Sequence, residues 1–380
     1  MDIQDLNRQM DSIDAELVNL YCRRMDTARA IGAVKRENDL PLADSEGERN
    51  LLNRVSVLAG PEKEHGVRAL YHLLADHSRL YQLMDGRPQS ALGQLVLSTL
   101  ENTPPLFPEK AAVACQGVEG AYSQQACEKM IRYPSITYFR TFEDVFDAIE
   151  SGACRYGILP IENSLAGSVN SVYGQMHRHN FYIIRSTRLK IDHTLLALPG
   201  TKIEDVRDIY SHEQAIHQCS ACLARHSEWH VNVCSNTAAA ARMIRESGRT
   251  DAAAISSVRC ASLYGLNILA SDIQDNSNNH TRFICISKEP EIYPGADHTS
   301  LMLVLPDRPG ALYQLLSRFN ALGINLTKLE SRPIPGKDFE FMFYFDLDVS
   351  VYSPVFARLL EELDVTLQQF SWLGSYSEVI

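Results

Sequence analysis

From Ile3 to Leu20 the apolar residues Ile3, Leu6, Met10, Ile13, Leu17 and Leu20 recur at spacings of three and four, the signature of an apolar seam on one face of a long helix. Continued at the same interval, the count lands on Arg24, then on Thr27, Ile31 and Val34. A charge on a seam that should be buried costs free energy unless an anion meets it. Lys35 follows Arg24 by eleven residues, which at roughly 100° per residue puts the two side chains about 20° apart on the helical wheel. A lone arginine there reads as a buried ion pair or a snorkelling stem; two aligned cations point to a bound anion.

A second helix is expected after Pro41, with Asp44 or Ser45 as N-cap, Leu51, Leu52, Val55 and Leu58 as its stripe, and Ser45 with Glu48 as a capping box. A third is expected from about Val67 to Tyr81, with Ser78 and Gln82 on one face. Three amphipathic helices leave an apolar stripe over, so a dimer is expected to cover it. At 380 residues the chain exceeds one ordinary core. The helical region is read as 1–88 and a linker as 89–109, where TPPLFPEK crowds three prolines into five residues.

Beyond the linker, AAVACQ reads as a buried strand, GVEGAYS as a glycine turn and SQQACEKMIRY as a helix, and YGILP and IENSLAG repeat the series. Such an α/β unit places a helix N-terminus beside a strand's carboxyl end, an anion site, and Ser123 is expected to cap that helix and face the ligand. Gly117 and Gly120 lack the third glycine and the acid of a dinucleotide fingerprint, so no nicotinamide cofactor is expected. This region is read as 110–288. The last, 298–380, follows the polar segment KEPEIYPGADH. TSLMLVL is a strand, a helix opens at Pro309, and INLTKLESRP and FEFMFYFDLDV are strands, the second with Phe339, Phe341, Phe343 and Phe345 on one face. A helix near SPVFARLLEEL and a strand near VTLQQFSWLG complete a βαββαβ order of ferredoxin-like type.

Acidic residues outnumber basic ones 47 to 36, a net charge of −11 that disfavours nucleic acid and anionic membranes as partners. No run of eighteen apolar residues occurs, and a cytoplasmic protein is expected. Nine scattered cysteines read as reduced thiols. Cys219 and Cys222 have histidines nearby but no second pair at zinc-finger spacing, and His212 and His217 are five apart rather than four, so no metal site is expected.

GVEGAYSQQA, PIENSLAGSV, YSHEQAIHQC and NHTRF, in that order, resemble the prephenate dehydratase family. The helical region resembles the all-helical chorismate mutases, and RPGALY with LESRP resembles the ACT domain. Together they look like the bifunctional chorismate mutase-prephenate dehydratases. The resemblance implies a multidomain chain: an all-α mutase bundle, a two-lobed α/β dehydratase domain of the periplasmic-binding-protein type, and an α+β ferredoxin-like ACT domain. It implies conversion of chorismate to prephenate and of prephenate to phenylpyruvate without metal or cofactor, inhibition by L-phenylalanine, and a homo-oligomer, dimer or tetramer.

By that resemblance the mutase site comprises Arg24, Lys35, Asp44, Glu48, Ser78 and Gln82. The dehydratase site comprises Glu162, Asn163, Ser211, Gln218, Asn279, Thr281, Arg282 and Phe283, with Thr281 beside the leaving hydroxyl and Arg282 on a carboxylate; Ser123 is added from the helix argument. Gly310, Ala311 and Leu312 with Glu330, Ser331 and Arg332 form the phenylalanine pocket at a subunit interface. Two positions depart from the mutase pattern, Asn7 and Gly47 standing where the family has arginines. A dehydratase with a weak mutase is therefore one alternative, and a non-catalytic amino-acid sensor a more distant one.

Overall fold

The computed structural model describes residues 2–41, 45–84, 90–334, 341–367 and 369–380. They form two compact units, Met1–Leu97 with Met302–Phe345 and Tyr352–Ser371, and Ser98–Leu301 with Asp346–Val351 and Trp372–Ile380. Among the described residues no helix is long and apolar enough to cross a membrane.

In the first unit the helix Ile3–Glu37 runs unbroken, its N-terminus closed by a capping box between Asp2 and Asp5. The seam residues Ile3, Leu6, Met10, Ile13, Leu17 and Leu20 are between 47% and 71% exposed. What the chain buries is the face carrying Met25, Ala28 and Gly32. The second and third expected helices are one run, Ser45–Met84, broken at Gly60, where φ is 70°, just before Pro61. Glycine accepts that left-handed backbone and proline starts the next helical turn without needing its missing N–H. The third helix therefore begins at Pro61 rather than near Val67. Asp44 and the Ser45 side chain lie outside the described residues.

The C-terminal elements follow in the expected order: strand His298–Val304, helix Ala311–Ala321, strands Asn325–Pro333 and Phe341–Asp348, helix Pro354–Thr366 and strand Gln369–Val379. Two details differ from expectation. Gly310, at φ 84°, is the N-cap, so Pro309 precedes the helix instead of opening it. The helix Pro354–Thr366 takes up Val365 and Thr366, and the last strand starts only at Gln369. Phe341, Phe343 and Phe345 alternate along one strand, the Phe343 and Phe345 rings 6.4 Å apart, with Phe341 exposed and Phe345 fully buried; Phe339 lies outside the described residues.

The second unit is built on two sheets. In the first the strands run in the order Tyr133–Phe139, Lys110–Gln116, Tyr156–Asn163, His280–Ser287, Tyr182–Lys190. The first three are parallel, and His280–Ser287 is antiparallel to both Tyr156–Asn163 and Tyr182–Lys190. The second sheet has the order Asn267–Ala270, Thr194–Ala197, Ala252–Ser256, Asp208–Ser211, His230–Val233. Unbroken buried runs such as Ala252–Ser256 follow from helices covering both faces. The chain leaves the first sheet at Lys190 and returns at His280, so two crossings join the lobes side by side, tied by Ile191 N–H to the Asn279 carbonyl at 2.8 Å. That is the two-lobed α/β architecture expected for the central region, and the crossings bring residues distant in sequence to one place.

Candidate active sites

A cavity of about 400 Å³ lies where the crossings meet the lobes, lined by residues from both, among them Ser123, Asn163, His193, Gln218, Asn236, Thr281 and Phe283. Three of its side chains, Asn163, Thr281 and Gln218, are joined, partly through Asn279 behind the wall, by hydrogen bonds whose direction is fixed. The backbone N–H groups of Leu165 and Ala166 donate to Asn163 Oδ1 at 3.1 and 2.9 Å, so the other end of that amide is the donor. Asn163 Nδ2 donates to Asn279 Oδ1 at 2.7 Å and to Thr281 Oγ1 at 2.9 Å. Asn279 Nδ2 in turn donates to Gln218 Oε1 at 3.0 Å. Because Thr281 Oγ1 accepts from Asn163, its own proton is left to be donated elsewhere, and Thr281 is on the cavity wall.

Among the described residues that line the cavity there is no lysine or arginine. Positive potential comes instead from helix N-termini. Ser235, Asn236 and Thr237 line it at the start of the helix Thr237–Ser247, which Asn236 caps through its bond from Ala239 N–H at 2.7 Å. From the other lobe the helix Tyr122–Met130 presents its first turn. Unpaired N–H groups and the helix dipole at two such ends suit a ligand with two anionic groups. Ser123 is not the cap expected: Ala121 holds that position, and Ser123 is the second residue of the helix, buried on the cavity wall.

The structure does not bring every expected residue to this cavity. Side chains on a strand alternate faces, and Arg282 stands opposite Glu162 while Thr281 stands opposite Asn163. Arg282 therefore points away from the cavity. Its guanidinium is 12% exposed, pairs with Asp346 Oδ2 at 2.5 Å and donates to the Tyr376 hydroxyl at 2.7 Å; burial works against its charge, and Tyr376 and Asp346 outweigh burial and hold the proton more tightly than on a free arginine. The assignment of Arg282 to a substrate carboxylate is thus corrected. Glu162, half-buried on the same face, is not on the cavity wall either. Ser211 is fully buried and spends its hydroxyl on the Ile255 carbonyl at 2.7 Å. Asn279 acts from behind the wall, through Asn163 and Gln218. Removing one partner of a buried ion pair typically costs about 3–5 kcal/mol, so Arg282→Ala should lower unfolding stability by that order and leave KM for the substrate within about threefold. Urea unfolding with steady-state kinetics checks this; a stable variant with KM raised about 100-fold would restore the anchor role.

In the first unit, contacts between the two long helices and within Ser45–Met84 place several members of the second set. Arg24 Nη1 bonds the Ser78 hydroxyl and the Leu74 carbonyl, the latter at 2.7 Å. Glu48 is ion-paired with Arg79, which also approaches Asp76 at 3.7 Å. Lys35 is half-buried on the same helix as Arg24. Gln82 packs its backbone tightly against the first helix at Gly32, where an added Cβ would come within 2.8 Å of Gln82 Cα and O. Sequence reasoning passed over Gly32 and Arg79. A small residue among larger ones on the buried face was the signal for the first, and a cation beside Ser78 for the second.

At the opening of the helix Ala311–Ala321, Ala311 lines a cavity of about 300 Å³ with Arg308, Gln314 and Arg318; Gly310, Leu312 and residues 330–332 are not on its wall. Glu330 and Arg332 are ion-paired at 2.7 Å. Cys219 and Cys222 are buried, and burial pushes the Cys219 thiol up to about 12. One group among the described residues, Asp147, Glu150 and His179, clusters possible metal donors, with His179 already paired to Glu150 at 3.1 Å.

The profile of the Prephenate dehydratase family matches residues 113–291, that of Chorismate mutase type II residues 6–83, and that of the ACT domain residues 299–364. The chain is 39% identical over 279 residues to arogenate dehydratase/prephenate dehydratase 2 of Arabidopsis thaliana, covering 70% of this chain and 73% of that one. It is 31% identical over 381 residues to the bifunctional chorismate mutase/prephenate dehydratase of Aquifex aeolicus, covering 100% and 99%. The solved structure of prephenate dehydratase from Arthrobacter aurescens in complex with L-Phe aligns with a TM-score of 0.64 at 30% identity, over 70% of this chain and 90% of that one. GqqA, described as a novel type of quorum quenching acylase, aligns with a TM-score of 0.63 at 32% identity, over 70% and 97%.

Proposed function

Because the chain belongs to the family of bifunctional chorismate mutase/prephenate dehydratases, we propose that its interlobe cavity converts prephenate to phenylpyruvate through Thr281. The observation that carries this reading is the directed amide ladder ending on Thr281 Oγ1. Prephenate is a dianion that loses its ring carboxylate as CO₂ and its ring hydroxyl as water. The electrons of the breaking C–C bond enter the ring and expel the hydroxyl, while one proton is taken up. That proton reaches the leaving oxygen through the Thr281 hydroxyl, which Asn163 holds as a donor. The two helix N-termini take the carboxylates. A lysine or arginine there would stabilise the very carboxylate that must depart; dipoles and neutral donors hold the substrate with less penalty.

We assign the mutase to Arg24, Lys35, Glu48, Ser78 and Gln82, with Asp44. A Claisen rearrangement asks only for a compact substrate conformer and for donors to the ether oxygen as its C–O bond breaks. The exposed seam of the first helix supports pairing of two chains, which would bury it. L-phenylalanine, the ligand in the Arthrobacter structure, is assigned to Gly310–Leu312 of one chain and Glu330–Arg332 of another, in a soluble cytoplasmic enzyme of modules 1–88, 110–288 and 298–380. Purified protein fed prephenate should release CO₂ and phenylpyruvate in equal amounts, more slowly with L-phenylalanine present. Absence of phenylpyruvate would remove the dehydratase reading; unchanged rates together with no calorimetric binding of L-phenylalanine would remove the regulatory one.

A further inference from the structure

His193 lines the dehydratase cavity, is 2% exposed, and comes from the first crossing between the lobes, outside every motif used above. Its backbone is pinned: its N–H donates to Gln274 Oε1 at 2.8 Å, and its carbonyl accepts from Ile273 N–H at 3.0 Å. Its ring meets Gln218 Oε1 through Nε2 at 2.9 Å. A carboxamide oxygen only accepts, so the proton is on Nε2, and the neutral ring is the Nε2–H tautomer. Gln218 Oε1 thus takes two donors, His193 Nε2 and Asn279 Nδ2. Burial lowers the basicity of His193, with the Gln218 bond partly opposing it, which keeps the ring neutral at neutral pH.

We infer that His193 is a positioning residue of the dehydratase site, fixing the Gln218 carboxamide so that its oxygen faces the protein and its amide group faces the substrate as a donor. The inference rests on the dehydratase reading and extends it. Without His193, one bond from Asn279 leaves the amide free to turn about that contact, and an oxygen turned toward a dianion repels it. With both bonds, Gln218 presents an amide N–H to an oxygen of prephenate in a cavity whose described wall has no lysine or arginine. A neutral donor does this without placing a cation beside the carboxylate that leaves.

Histidine has two isosteric half-replacements: glutamine reproduces Nε2 and asparagine reproduces Nδ1. His193→Ala should lower kcat with prephenate by about 10- to 100-fold while KM rises less than about threefold, the split expected when orientation in the transition state is lost. His193→Gln should recover activity to within about fivefold of the parent, since it can again donate to Gln218, and His193→Asn should not. A His193→Ala enzyme within about twofold of the parent, or Asn rescuing as well as Gln, would overturn the inference. Mutase activity on chorismate, measured in the same preparations, reports folding: a variant that loses both activities has unfolded, and the Gln and Asn forms then decide. Failure of the parent chain to turn over prephenate would instead sink the dehydratase reading and this inference with it.

Discussion

Thr281→Ala should lower kcat for phenylpyruvate formation by about 10³-fold, within the range for loss of a general acid, while chorismate rearrangement by the same preparation stays at the parent rate. The size follows from the position of one proton. Asn163 donates to Thr281 Oγ1, and Asn163 is itself anchored by two backbone N–H groups, so the hydroxyl hydrogen is the part of Thr281 left for the ligand. Thr281→Ser keeps that hydroxyl and should retain activity to within about tenfold, the difference reflecting rotamer freedom of an unbranched side chain. Thr281→Val keeps shape but leaves Asn163 with an unanswered donor, and it should be as inactive as alanine. Stopped assays for phenylpyruvate on the three variants check this; full activity in Thr281→Ala would remove Thr281 from the mechanism.

Arg24→Ala should lower chorismate mutase activity by about 10²- to 10³-fold, the usual effect of removing one charged donor from a site that works by electrostatic complementarity, and should leave the dehydratase unchanged. Arg24 is half-buried and already oriented by the Ser78 hydroxyl and the Leu74 carbonyl, so its charge is held in place before substrate arrives. Arg24→Lys keeps the charge but loses the planar fork and should recover only part of the loss. Chorismate consumption at saturating substrate is the readout. An Arg24→Ala chain as active as the parent would place the mutase site elsewhere, or make Asn7 and Gly47 the marks of a site that no longer works.

How far the fold was legible depended on how local each signal was. The first helix, the α/β centre and the βαββαβ order follow from spacing and turn residues, and the structure holds all three. The start of the third helix was misplaced because Gly60–Pro61 marks a kink within a helical run as well as a boundary. The last strand was drawn too early because Val365 and Thr366 favour strands, yet they complete the helix begun at Pro354.

At the site, motif residues were grouped by sequence proximity, whereas a strand sends neighbours to opposite faces. Thr281 and Arg282 adjoin in NHTRF; the first reaches the cavity and the second pairs with Asp346. Strict alternation, applied to PIEN and NHTRF, would have separated Asn163 and Thr281 from Glu162 and Arg282. His193 carried no such signal. Its place depends on where the chain crosses between lobes, a long-range fact that no local spacing encodes.

The most direct test supplies the purified chain with chorismate alone and follows prephenate and phenylpyruvate together, beside a parallel feed of prephenate. Two working sites predict phenylpyruvate from both feeds, with prephenate accumulating from chorismate in Thr281→Ala and product from chorismate formed about 10²- to 10³-fold more slowly in Arg24→Ala. Phenylpyruvate from neither feed would contradict the account at its centre, leaving a chain that binds these ligands without transforming them.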